Sequence, residues 1–122
     1  MTATSLGEAA AFVRDEIKTA NPDVRVTLEP DEINPPCVWI QLDHREHKFL
    51  AGDGYIAEWN VHCVAPRVGS QRALDIIDGL FAAVSTVFDP DGEDGREEGI
   101  EITVGSGNPL PATRFKVRTK VT

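Results

Sequence analysis

An α+β fold, one mixed or antiparallel sheet of about four to five strands with two helices packed on one face, follows from three features of this sequence. Apolar residues recur at helical spacing in two stretches, and apolar and polar residues alternate in several others. The order along the chain is helix, strands, helix, strands. The 122 residues form a single domain, 1–122. A chain of this size buries on the order of 65% of the surface that it exposes when unfolded. At 41% hydrophobic and 26% charged residues, the composition is that of a folded protein.

The first helix is expected over about 6–20. Ser5 and Glu8 have the spacing of a capping box, and Leu6, Ala9, Phe12, Val13, Ile17 and Ala20 share one face. Asn21-Pro22 ends it. Val24, Val26 and Leu28 then alternate with polar residues as a half-buried strand, and the three prolines within 30–36 stop it. Residues 37–42 are apolar on both faces and should be central or covered on both sides.

A polar connection over 43–54 precedes the longest strand, 55–65. There Tyr55, Ala57, Trp59, Val61 and Cys63 form the core face. The other face, with Glu58, Asn60 and His62, is semi-polar. Eleven residues reach roughly 36 Å, longer than this domain needs, which suggests pairing or packing with a neighbour. Ser70 is the expected N-cap of the main helix, whose apolar stripe runs from Ala73 to about Phe88. An acidic loop over 89–98, a strand over 99–105 and a basic last strand complete the chain.

That last strand sets Arg114, Lys116, Arg118 and Lys120 in one row and Phe115, Val117 and Val121 in the other. The row holds four of only 12 Lys and Arg in a chain of net charge −8. It is a candidate subunit interface, although edge strands also carry such cations to block aggregation. The acidic balance argues against generic nucleic-acid binding. No apolar run approaches a membrane span, and residues 1–5 lack the features of a secretion signal, so a cytoplasmic location during synthesis is expected. Cys37 and Cys63 read as reduced core thiols.

Nothing points to catalysis, a metal or a cofactor. Calcium-loop registers starting at Asp89 or Asp91 place Ile100 or Ile102 where a glutamate ligand is required. His44, His47, His62 and the two cysteines lack the paired spacing of a zinc site. Asp53, Glu58 and Asp75 are the scattered acids expected in a chain with 20 of them. No phosphate loop or nucleophile elbow is present.

The run Glu58-Trp59-Asn60-Val61-His62-Cys63-Val64-Ala65-Pro66, leading into Ala73-Leu74-Asp75-Ile76-Ile77-Asp78-Gly79-Leu80, resembles the tail terminator proteins of long-tailed, siphovirus-type bacteriophages. The segment Leu110-Pro111-Ala112-Thr113-Arg114-Phe115 is similar to the proline-entered last strand of such proteins in phages of actinobacteria. The resemblance covers most of the chain and implies a structural protein of the virion tail and neck, assembled in the host cytoplasm. It implies a homohexameric ring that caps the tail tube, stops its polymerisation and provides the head–tail joining surface. The implied partners are other copies, the tail tube protein and the head–tail connector protein. DNA would pass through the ring without sequence-specific binding, past a charge of −48 for six copies at −8.

In such a ring the row Arg114, Lys116, Arg118 and Lys120 is the candidate subunit interface, facing the acids of 89–98 or of the first helix on the next copy. The loop residues His44, Arg45, Glu46, His47 and Lys48 are the candidate tail-tube contact. The competing readings are a head completion or connector protein of the same particle and, more distantly, a small cytosolic binding module or enzyme.

Overall fold

The computed structural model describes residues 5–46, 54–88, 97–105 and 107–121. The elements are α1 (Leu6–Ala20), β1 (Val26–Thr27), β2 (Cys37–Glu46), β3 (Tyr55–Val64), α2 (Ser70–Ser85), β4 (Glu97–Ile102) and β5 (Leu110–Val121). The five strands form one sheet in the order β1-β2-β3-β5-β4. The β1–β2 pair is parallel and the others are antiparallel, so the fold is α+β with a mixed sheet.

α1 starts as its cap dictates: the Ser5 side chain accepts a hydrogen bond from the Glu8 N–H at 3.1 Å. It buries Ala9, Val13 and Ile17 against the sheet. At its end Asn21 holds the two helices together. Its Nδ2 donates to Ile17 O at 3.2 Å, to Ala83 O at 2.9 Å and to Thr86 Oγ1 at 3.2 Å, so carbonyls left open at both helix termini gain a donor. α2 begins at Ser70, but its N-cap is Gly69 and no side chain caps it. It ends at Ser85, three residues earlier than the apolar stripe suggests, while Val87 and Phe88 still pack on the core from the turn that follows.

Several strand boundaries differ from the sequence expectation. Only Val26 and Thr27 pair in β1, because a 3-10 helix over Pro30–Glu32 leads the chain away at once. β2 continues to Glu46, since the antiparallel ladder to β3 carries Asp43–Glu46 as strand and not as loop. β4 begins two residues early, at Glu97, where Arg114 of β5 is its register partner.

Both helices lie on the β3 face that bears Ala57, Trp59, Val61 and Cys63. The centre of this core is Phe115, fully buried, with the Phe81 ring set edge-on at 5.1 Å and 80°. Trp59 buries its ring there and still donates its Nε1–H to Thr119 Oγ1 at 2.8 Å. On the opposite face a smaller apolar cluster gathers Ile33, Cys37, Val64 and Ala112 beneath Ile100 and Ile102. Cys37 and Cys63 are therefore buried free thiols in different clusters on opposite faces of the sheet. Among the described residues, no helix is long and apolar enough to cross a membrane.

Phe115→Ala removes the ring at the centre of this core and should cost roughly 3–5 kcal/mol in a urea denaturation series. Leu74→Ala, at a side chain 62% exposed on α2, should change stability by no more than about 0.5 kcal/mol.

Candidate functional site

The face of the sheet opposite the helices carries most of the ion pairs found among the described residues. Side chains alternate along a strand, so β3 turns Glu58, Asn60 and His62 to this face and β5 turns Arg114, Lys116, Arg118 and Lys120 to it. The expected cationic row is thus one row. Its neighbours are supplied by a register shift.

β2 shifts register by one residue between Leu42 and His44. Before the bulge, the residues that share the open face are Cys37, Trp39 and Gln41. After it, His44 stands opposite Glu58 and Glu46 opposite Ile56. The extra residue lets Asp43 and His44, adjacent in sequence, both reach the open face. Arg45 is turned to the other side, with its guanidinium 5.4 Å from the centre of the Tyr55 ring.

The result is a compact ionic network. Glu58 is only 4% exposed and takes Lys116 Nζ at 3.2 Å and Arg118 Nε at 3.2 Å. Lys116 Nζ also lies 3.2 Å from Asp43 Oδ2. His44 presents Nδ1 to Asp43 Oδ2 at 2.7 Å and Nε2 to Glu46 Oε1 at 2.9 Å. Both ring nitrogens therefore face carboxylates, which only the imidazolium satisfies with two donors. The hydrogen bond that His44 donates to Glu46, then that to Asp43, raises its pKa above the ordinary value. His44, followed by Lys116, holds the Asp43 carboxyl below its usual range, while Asp43 and then Glu58 push Lys116 up.

Asp43, His44 and Glu58 bring one ligand atom each within 4.8 Å of one another, a spacing suited to a cation. A cation of the chain already stands there: the Lys116 ammonium bridges two of the three groups. The network needs no metal to balance its charge. The other sequence groupings do not assemble. Asp75 is on α2, across the sheet from Glu58, and Asp53 and His47 lie outside the described residues. Cys37 and Cys63 are divided between the two faces, so they do not converge with His44 and His62.

Further along the same face, His62 is buried and stacks on Trp39, with ring centroids 4.5 Å apart and planes 21° from parallel. Its Nδ1 lies 3.2 Å from Trp39 O, and burial pulls its pKa down to about 4. Trp39 Nε1, Asn60 Oδ1 and Arg114 Nε are closed off from solvent without a hydrogen-bond partner. Each such atom costs about 1–3 kcal/mol.

For the candidate interface residues, Arg114 pairs with Glu97, Lys116 with Asp43 and Glu58, and Arg118 with Glu58. Glu97 belongs to the acidic stretch 89–98, whose remaining described residue is Glu98. Part of the complementarity expected between copies is therefore met inside one chain. For the candidate tail-tube contact, His44 and Arg45 are exposed at the end of β2, Glu46 is half-buried beside them, and His47 and Lys48 lie outside the described residues. Alternation alone could not find the network, because the bulge reverses which β2 residues share a face with Glu58.

The two histidines should give opposite limbs to a stability–pH profile. His44 has a raised pKa, so its contribution is complete below the ordinary value of 6.5 and is lost as pH rises through the raised one. His62 has a depressed pKa, so stability should fall by about 3 kcal/mol as pH drops from 6.5 to about 4. Denaturation across pH should show His44→Gln flattening the upper limb and His62→Gln the lower.

Glu58→Gln should cost roughly 3 kcal/mol, at the lower end for a broken buried pair because Lys116 and Arg118 both reach solvent. Adding Lys116→Met should recover part of that loss, as coupled neighbours do.

The chain matches no known family model and no curated protein.

Proposed function

We propose that this chain is a structural virion protein, a tail terminator of a long-tailed bacteriophage. Six copies close into a ring that caps the tail tube, ends its growth and offers the surface on which the head connector joins. The observation that carries the reading is the asymmetry of the sheet. One face lies under both helices, and the other is a mixed-charge face with no helix over it among the described residues.

A ring is built from head-to-tail contacts, so each subunit must offer two different surfaces. The open face, with Arg114, Lys116, Arg118 and Lys120, is one. Its internal pairing leaves it nearly neutral, so a neighbour contributes shape and hydrogen bonds to exposed groups more than charge. The surface proposed for the tail tube, residues 44–48, begins at the far end of the β2–β3 pair, where His44 and Arg45 are exposed. The resemblance of 58–66 and 73–80 to tail terminators supports the same reading. The acidic balance of the chain suits a channel through which DNA slides without sequence-specific contact.

Light scattering after size exclusion should give a mass near six times 13.3 kDa. The same preparation should co-sediment with purified tail tubes. A monomer that also fails to bind tubes sinks the proposal. Binding to isolated heads and not to tubes would assign the chain to the neck as a head completion protein.

A further inference from the structure

At the end of the sheet where β3 ends and β5 begins, a groove separates α2 from β4. Its first part, about 350 Å³, is lined by Val68, Leu74 and Ile77 on the helix side and by Pro109, Pro111 and Glu101 across from them. Past Leu74 and Ile77 it continues for about 210 Å³ between Asp78 of α2 and Gly99 to Glu101 of β4.

The groove has a structural origin. β4 turns Ile100 and Ile102 to the open face, where they join the small apolar cluster. Glu101, with Pro111 as its register partner, is left facing the helix side. Gly99 adopts a φ of +68° and has no side chain to fill the space. No apolar residue of β4 draws a helix over this end of the sheet. Leu74, 62% exposed, is the most exposed large hydrophobic side chain among the described residues, and Val68 is exposed beside it.

The groove thus has an apolar floor one side chain wide and acidic walls from Asp78 and Glu101. Arg67 stands at its outer end with its guanidinium turned to Pro109 O at 3.0 Å. We propose that it is a docking site for an extended basic segment of a partner protein. That segment seats one bulky apolar side chain on Leu74 and Ile77 and sets its lysines or arginines against Asp78 and Glu101.

Charge selects this occupant over the alternatives. A second copy brings a net charge of −8, which disfavours it at this acidic groove, whereas the ring contact is proposed at the nearly neutral open face. The β5 cations of a second copy are already committed, since Arg114, Lys116 and Arg118 pair with Glu97, Asp43 and Glu58 of their own chain. Phosphate-bearing partners are repelled by the same walls. The inference stands on the groove alone and does not depend on the ring.

The test is fluorescence anisotropy of a short fluorescein-labelled peptide alternating lysine with leucine, titrated with the full chain and its variants. Saturable one-to-one binding is expected. Leu74→Asp adds negative charge, so generic attraction predicts equal or tighter binding, whereas loss of the apolar seat predicts weakening of at least about tenfold. Glu101→Lys should weaken binding by a similar factor. Glu16→Lys makes the same charge change at an exposed position of α1 and should stay within about twofold. No binding, unaltered or tighter binding by Leu74→Asp, or an equal loss in Glu16→Lys and Glu101→Lys would each overturn the proposal. Circular dichroism melts of each variant confirm that the fold is retained.

Discussion

A carboxylate nine-tenths buried must be paired, and Glu58 meets that demand on a sheet face that neither helix covers. Lys116 and Arg118 approach from β5, and His44 stands opposite on β2. Those three groups reach Glu58 only if β2, β3 and β5 hold one register across the middle of the sheet. An apolar core alone does not demand that, since a slip by two residues keeps every apolar side chain on its own side. The ionic network adds a register-specific constraint that apolar patterning lacks, because its pairs meet only in this register.

The bulge in β2 is the device that completes it. One extra residue sends Asp43 and His44 to the same face, gives Lys116 a second carboxylate and gives the imidazolium its two acceptors. The same shift turns Arg45 onto the Tyr55 ring. The outer half of β2 is therefore held by polar contacts where the inner half is held by packing. It is also the more exposed half.

The molecule has two chemically different ends. One is the exposed, charged end of the β2–β3 pair. The other is the apolar groove with acidic walls between α2 and β4. A protein that joins two partners needs such a difference, because each end must reject what the other accepts. In the proposed tail terminator, the open charged face lies between these ends as the surface toward neighbouring copies.

Much of the fold was legible in the sequence. α1 and its Ser5 cap, the core face of β3, the apolar stripe of α2 and the single row of β5 cations all follow from periodicity and short-range hydrogen bonding. Periodicity is a local property, so a local reading reaches it. The boundaries were less legible: β1 shrank to two residues and β2 grew to Glu46, because strand length depends on what the neighbouring strand offers. The cations of β5 could be placed in a row from sequence, but not with their partners, since Glu58 and Asp43 are distant along the chain and a bulge decides which faces meet. By itself, then, the sequence determined which residues are apolar, which alternate and where helices start. Only the tertiary structure decided which charges neutralise one another, because pairing is set by strand order and register, and these are properties of the whole sheet.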